Sequence, residues 1–212
     1  MPELYIITGS NGAGKSSLGP HYVPAALSDS IFDGDKLLMV KKSEFWKKGI
    51  RSSKECTKLA AEIVEDTFDK LVETSLGNSL DFAYEGHFTN HETWSIPQKF
   101  KNAGYKIHLI FFGLTNTDLS ELRVLYRTKE GGHHVDPFTL ATNFYGNLEK
   151  LDIYFKIFDS VEIYDTSGIE HIHLARIENG NISSCISSSQ LPDWFTEYLP
   201  NISLLIENKS FE

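Results

Sequence analysis

Short apolar runs alternate along the chain with longer stretches in which apolar residues recur at spacings of three and four. The runs "LYIITG", "SLDFAYEG" (ending at Glu85), "YKIHLIFFGL" and "SVEIYDTS" predict strands. "YKIHLIFFGL" is apolar on both faces, which suits a central strand of a parallel sheet. "DSIFDGD" predicts a further short strand over Asp29–Asp35, closing on Asp33 and Asp35. Cys56, Leu59, Ala60, Ile63, Val64, Phe68, Leu71 and Val72 share one helical face and predict a long amphipathic helix over 54–73. "HETWSIPQKFKNAG" predicts a helix that stops at Gly104. "TDLSELRVLYRTK" predicts another, with Asp118 and Glu121 early and basic residues late, as the helix dipole favours. Pro137 can open the next, whose stripe is Phe138, Ala141, Phe144, Leu148, Leu151, Phe155 and Phe158.

After Gly168 the pattern changes. "HIHLARIENGNISSCI" predicts a hairpin about Asn179-Gly180, "LPDWFTEYLP" a short helix, and the polar tail is expected to fray. The alternation of strands and helices predicts an α/β architecture, a mainly parallel sheet covered on both faces. The expected organisation is a core over 1–168, with a C-terminal hairpin, short helix and tail over 169–212 packed on the same domain. In such sheets ligands bind beyond the carboxyl ends of the strands. That edge collects Gly9, Asp33, Asp35, Glu85 and Thr89.

The first strand runs into "GSNGAGKS", which fits G-x-x-x-x-G-K-[ST] with Gly9, Gly14, Lys15 and Ser16. The physical task of this spacing is to wrap phosphates with successive backbone N–H groups. The fold class is therefore a P-loop NTPase with a doubly wound sheet. Gly9, Ser10, Asn11, Gly12, Ala13, Gly14, Lys15, Ser16 and Ser17 are the expected ATP-binding residues. Lys15 would reach the β- and γ-phosphates and the Ser16 hydroxyl would ligate Mg²⁺.

Charge and cysteine content narrow the field. The chain has 212 residues and a net charge of −9, a poor balance for a general nucleic-acid binder. Cys56 and Cys185 match no metal or redox spacing. No run approaches the roughly 20 apolar residues of a membrane span, and the first residues enter a strand directly. These features favour a cytoplasmic protein without a membrane partner.

Further residues complete a candidate site. Asp33 and Asp35, two apart at a strand end, can divide labour beside a triphosphate: one organises Mg²⁺, the other accepts a proton from an attacking hydroxyl. Glu85 closes a hydrophobic strand and is followed by Gly86, where a ligand can approach the backbone. Arg123 and Arg127 lie one helical turn apart and lead into "EGGHHVD". A lid over about 123–137, solvated and mobile until ATP binds, would bring guanidinium groups onto the phosphates. His133 and His134 are adjacent with no third metal ligand evident, so a hydrogen-bonding or structural lid role is expected for them.

The blocks "TGSNGAGKSS", "FDGDKL", "FAYEGHFT" and "RVLYRTKEGGHHVDP", followed by "NFYGNLEKL" and "VEIYDTSG", resemble the zeta-toxin family of P-loop kinases. The likeness runs from about Leu4 to Gly168 and is closest to the chromosomal branch often labelled predicted ABC-type ATPase, although no LSGGQ-like signature is present. The resemblance implies an ATP-dependent kinase acting on a small-molecule hydroxyl; in toxin members the acceptor is a UDP-N-acetylamino sugar. It implies Lys15 at the β/γ-phosphates and Ser16 at Mg²⁺; of the acidic pair, Asp33 is then the expected metal-side acid. Asp35 would be the general base, and Arg123 and Arg127 would stabilise the transferring group. Glu85 and Thr89 would line the substrate pocket; His133, on the lid, is a further expected substrate-facing residue. The sequence departs from the family at "EGHFTN", where relatives carry "ETTLS"-like residues, and at Asn143, where they tend to carry an arginine. Two other readings share the core. One is an ATP-binding regulatory or partner-binding protein, for instance one held by an antitoxin-like partner that blocks the ATP site. The other is a nucleic-acid end kinase, which the acidic charge disfavours.

Overall fold

The computed structural model describes residues 1–129 and 135–209, with Lys209 described as backbone only. Its strands are β1 (Glu3–Gly9), β2 (Phe32–Asp33), β3 (Phe82–Glu85), β4 (Lys106–Gly113), β5 (Ser160–Asp165), β6 (Ile172–Glu178) and β7 (Asn181–Cys185). They form one sheet in the order β2-β3-β1-β4-β5-β6-β7. The first five strands in that order are parallel, and β6 and β7 add to the edge antiparallel. The strand read as central, β4, lies in the middle, and its Ile107, Leu109, Phe111 and Phe112 are fully buried. Asn179 and Gly180 take φ of 50° and 78° and close the β6–β7 hairpin as a two-residue turn of left-handed residues.

Helices α1 (Lys15–Leu18), α2 (Gly34–Lys47), α3 (Ser53–Asn78), α4 (Ser95–Asn102), α5 (Thr117–Lys129) and α6 (Pro137–Tyr154) connect and cover these strands. Beyond the hairpin come α7 (Asp193–Tyr198) and α8 (Pro200–Lys209). α1 is short because Gly19-Pro20 follows it and turns the chain into a 3₁₀ segment. α3 outlasts the predicted stripe by more than a turn. Its N-cap is Ser52, whose hydroxyl accepts from Glu55 N. Among the described residues no helix is long and apolar enough to cross a membrane.

The acidic strand end differs from the expectation. β2 stops at Asp33, and Asp35 lies in the first turn of α2. The cause is local: the Asp33 carboxylate accepts from Lys36 N at 2.9 Å, an N-cap that starts a helix at Gly34. The two acids therefore do not share one face of a strand. α2 itself escapes a stripe analysis, since none of its residues is fully buried. Phe138 also departs from its predicted stripe; it is 81% exposed, whereas Phe144, Leu148 and Leu151 are buried.

The tail does not fray within the described residues. The buried Asp152 carboxylate on α6 accepts from Asn201 N at 3.1 Å and Ile202 N at 3.0 Å, the first turn of α8. Ile202 and Ile206 are then buried against the core. These carboxylate bonds satisfy donors that a helix start leaves unpaired. Asp152→Ala is expected to cost about 1–3 kcal/mol, read as a lower urea midpoint. An unchanged midpoint would show that burial alone holds α8.

Candidate active site

The phosphate loop is built by committing its carbonyls outward. Lys15 Nζ donates to Gly9 O and Ser10 O, each at 3.0 Å. Ser120 Oγ donates to Asn11 O at 2.6 Å, Arg123 to Gly12 O at 3.3 Å, and Thr166 Oγ1 to Ala13 O at 3.0 Å. Leu18 N closes on Gly14 O at 2.8 Å. With those oxygens held by α1, α5 and the end of β5, the amide groups of the loop other than Ala13 N, which donates to Ser10 O at 3.2 Å, are left to face an anion. Gly9 is required by packing as well as by φ of +135°: a Cβ there would lie 2.1 Å from Phe112 O of β4. The sequence spacing and the loop geometry thus describe one phosphate cradle.

Acids from neighbouring strands converge on Lys15. Asp33 and Glu85 are register partners across β2 and β3, and Ser16 Oγ donates to Glu85 Oε2 at 2.8 Å. Burial lowers the Lys15 pKa, and the carboxylates of Glu85 and Asp35 oppose that shift. Burial raises the Glu85 pKa; Lys15 opposes it and the Asp33 charge adds to it. Ser16, Glu85 and Asp33 offer hard oxygen donors of the kind that hold Mg²⁺. The described residues contain no ready cluster of three or more metal-binding side chains.

Two clefts meet at this point. One, of about 480 Å³, runs between β2, β3, α2 and α3; the other, of about 260 Å³, opens beside Ser16 and Lys36. Lys15, Asp33 and Glu85 line both. Asp35 lines only the larger one and is exposed. A third hollow, of about 310 Å³, lies on the far side of the loop between Gly12, Ser17, Arg123 and His171.

The two arginines separate. Arg123 does not wait in solvent. It donates to Gly12 O and, at 2.9 Å, to Ser167 O, which ties α5 to the loop and to the end of β5. The expectation of a solvated pair is corrected on this point, because the half-buried carbonyls of Gly12 in the loop and Ser167 after β5 take Arg123 as their donor. Arg127, one turn on, is exposed; burial is the main cause that lowers the Lys15 and His87 pKa values, and the Arg127 charge adds to both. Arg123→Ala is expected to weaken ATP binding about tenfold, the worth of one charge-assisted hydrogen bond, with a lower thermal midpoint. Calorimetry showing full affinity would mean that Arg123 does not hold the loop in shape.

Comparison with known proteins identifies the frame that carries this geometry. The zeta toxin family model matches residues 1–178. The chain belongs to the zeta-toxin family. The match contains every predicted site residue. Among solved structures, the AvrRxo1-ORF1:AvrRxo1-ORF2 complex with sulphate ions superposes with a TM-score of 0.70 at 18% identity, over 94% of this chain and 64% of that one. The same pair with ATP gives 0.69 at 17% identity, with the same coverage. The PezAT chromosomal toxin–antitoxin system of Streptococcus pneumoniae gives 0.56 at 23% identity, over 81% of this chain and 71% of that one. At such identities the likeness concerns the fold, and this chain spans 64% of the AvrRxo1 chains' length. No curated protein matches it in sequence.

Within this zeta-toxin-family frame, the remaining predicted residues are distributed unevenly. Thr89 packs toward α6, since a Cβ on Gly146 would lie 3.0 Å from the Thr89 Cβ, and it is not among the cleft residues; Thr93 is. His133, like the rest of 130–134, lies outside the described residues. Asn143 donates to Asn11 Oδ1 at 2.8 Å, so it braces the loop.

His87 is a site residue the strand-end reasoning passed over. Asn147 Oδ1 accepts from Phe88 N at 2.7 Å and Thr8 Oγ1 at 3.1 Å, which fixes the orientation of its amide. Its Nδ2 then faces His87 Nδ1 at 3.1 Å. That nitrogen must accept, so the proton belongs on Nε2. Burial first, then the Lys15 charge, pushes the His87 pKa well below its usual value. The result is a neutral ring in the cleft wall beside Lys15. Its one sequence signal was the histidine in "EGHFTN" itself.

Proposed function

We propose that the protein is an ATP-dependent phosphotransferase that moves the γ-phosphoryl group of ATP to a hydroxyl of a small molecule. One observation carries this: Lys15, Asp33 and Glu85 face two clefts at once. A nucleotide switch needs one pocket at its phosphate loop, whereas transfer needs donor and acceptor to meet at one phosphorus. The loop amides and Lys15 hold the β- and γ-phosphates. Ser16 and Asp33 hold Mg²⁺, which when bound neutralises phosphate charge. The hollow between Gly12, Ser17, Arg123 and His171 receives the nucleoside end of ATP. Asp35, exposed at the mouth of the larger cleft, takes the proton of the acceptor hydroxyl. Arg127 compensates the charge that spreads over the transferring group. Family membership and the ATP held by the AvrRxo1 complex support this reading. A UDP-N-acetylamino sugar is the acceptor that the family resemblance suggests.

The AvrRxo1 structures pair ORF1 with ORF2, and PezAT is a toxin–antitoxin system, so an antitoxin-like protein is the partner we propose. Leu122, Leu125 and Tyr126 on α5 and Phe138 on α6 expose apolar surface that such a partner would cover. The test of transfer is incubation with MgATP and a panel of nucleotide sugars and unphosphorylated hydroxyl compounds, read by mass spectrometry. A product heavier by one phosphoryl group is expected. ATP binding with no product from any acceptor would favour the regulatory reading.

A further inference from the structure

The turn that joins α2 to α3 carries a charge opposite to that of the chain. Of the 20 lysines and arginines, seven fall within residues 41–58, whereas of the 29 acids only Glu44 and Glu55 do. Lys47, Lys48, Arg51 and Lys54 are exposed, and among the described residues no ion pair ties any of the four to a carboxylate. The helix dipole accounts for Lys47 and Lys48 at the C-terminus of α2. It disfavours Arg51 and Lys54, which flank the α3 N-cap Ser52. Local helix energetics thus explain half of the tip, and the other half needs an anion from outside the chain. The tip is ordered in advance. Gly49 takes φ of +99° and its N–H donates to Trp46 O at 3.1 Å; Ile50 N donates to Phe45 O at 3.2 Å. The Arg51 guanidinium donates to Trp46 O at 3.1 Å and lies 5.4 Å from the Trp46 ring, which is 47% exposed.

Three features decide which anion fits. A helical hairpin presents a convex tip, which meets a plane better than it tracks a strand, and a nucleic-acid strand takes a groove. Apart from Arg51 the cations are lysines, point charges suited to a diffuse surface potential rather than forks for single phosphates. Arg51 takes one face of Trp46 that a base would stack on. At a lipid–water boundary an indole needs no free face: its body is apolar and its N–H stays wet.

We propose that the α2–α3 tip is a docking surface for an anionic phospholipid membrane, with Trp46 entering the headgroup layer among Lys47, Lys48, Arg51 and Lys54. The expected lack of a membrane partner rests on the length of apolar runs, which bears on spanning a bilayer and not on resting against one. The docking is independent of the phosphotransfer chemistry.

The test mixes the full chain with vesicles of pure phosphatidylcholine or of phosphatidylcholine with phosphatidylglycerol, read by co-sedimentation and tryptophan emission. Trp94 and Trp194 are 5% and 1% exposed, so an emission shift on binding reports Trp46. Each lysine or arginine near an anionic surface is worth about fivefold in binding. The mixed vesicles are therefore expected to bind at least about a hundredfold more tightly than the neutral ones, with a blue shift and a steep loss with salt. Lys48→Glu combined with Lys54→Glu should weaken that binding by about 25-fold or more while the thermal midpoint holds. Trp46→Phe should still bind and should lose the shift. Dodecauridylate or octaglutamate, at the same charge concentration as the anionic lipid, should leave the protein on the vesicles. The proposal is overturned if the mixed vesicles bind no more tightly than the neutral ones, or if the double reversal changes nothing. It is equally overturned if binding leaves the emission unshifted or if the shift persists in Trp46→Phe. Displacement by dodecauridylate or octaglutamate would overturn it as well, and would assign the tip to a nucleic acid or to an acidic protein.

Discussion

Arg127→Ala is expected to lower turnover by about 10³-fold or more, the usual worth of an arginine that meets the transferring phosphoryl group. ATP affinity should stay within a few-fold. The separation of the two arginines is the reason. Arg123 is spent on Gly12 O and Ser167 O, so it shapes the ground state. Arg127 sits one turn further along α5, exposed, with its charge acting on Lys15 and His87. A group that strengthens its contact only as charge spreads over the γ-phosphoryl oxygens contributes to rate more than to binding. Arg127→Lys keeps the charge but loses the planar fork, and should recover only part of the loss. Steady-state kinetics beside calorimetry separates the cases. Equal losses in affinity and turnover would place Arg127 among the ground-state phosphate ligands.

Asp35→Asn should lower turnover by about 10²–10⁴-fold, the contribution of a positioned proton acceptor, again with ATP binding intact. Asparagine keeps the shape of the side chain and cannot take a proton. The structure adds a contrast that the sequence spacing lacked. Asp33 is fixed as the α2 N-cap through Lys36 N, whereas Asp35 lines the larger cleft with its carboxylate outside that cap. Asp33→Asn should therefore leave stability nearly unchanged, since asparagine is still a competent cap, and should alter the Mg²⁺ dependence before it touches proton transfer. If Asp33→Asn abolishes turnover at normal ATP affinity and Asp35→Asn does not, the two roles are reversed.

What was legible in the sequence follows from how local each feature is. The phosphate loop could be read because its geometry depends on adjacent backbone torsions and on close approach at Gly9. Glu85 could be read because a parallel sheet sends its ligands to one edge. The hairpin at Asn179-Gly180 was equally local. α2 was not legible, since its side chains are half-buried around a cleft rather than packed as a stripe. The ordered tail was hidden because Asp152, far away in sequence, supplies the cap of α8. His87 was hidden for the same reason: its tautomer is set by Asn147, which is in turn oriented by Phe88 and Thr8. Arg123 and Arg127 looked equivalent on one helix face and differ only through what the rest of the fold brings to each.

The central claim is that Lys15 and its acids join a donor site to an acceptor site. The most direct measurement follows the fate of the γ-phosphate. The protein is incubated with Mg²⁺, ATP carrying an isotopic label in the γ-phosphoryl group, and a small-molecule cell extract. The label should appear in a new small-molecule phosphate ester, which Lys15→Ala should abolish and Asp35→Asn should form about 10²-fold or more slowly. Label recovered only in ATP and inorganic phosphate, with the wild-type protein shown to bind MgATP, would contradict the account.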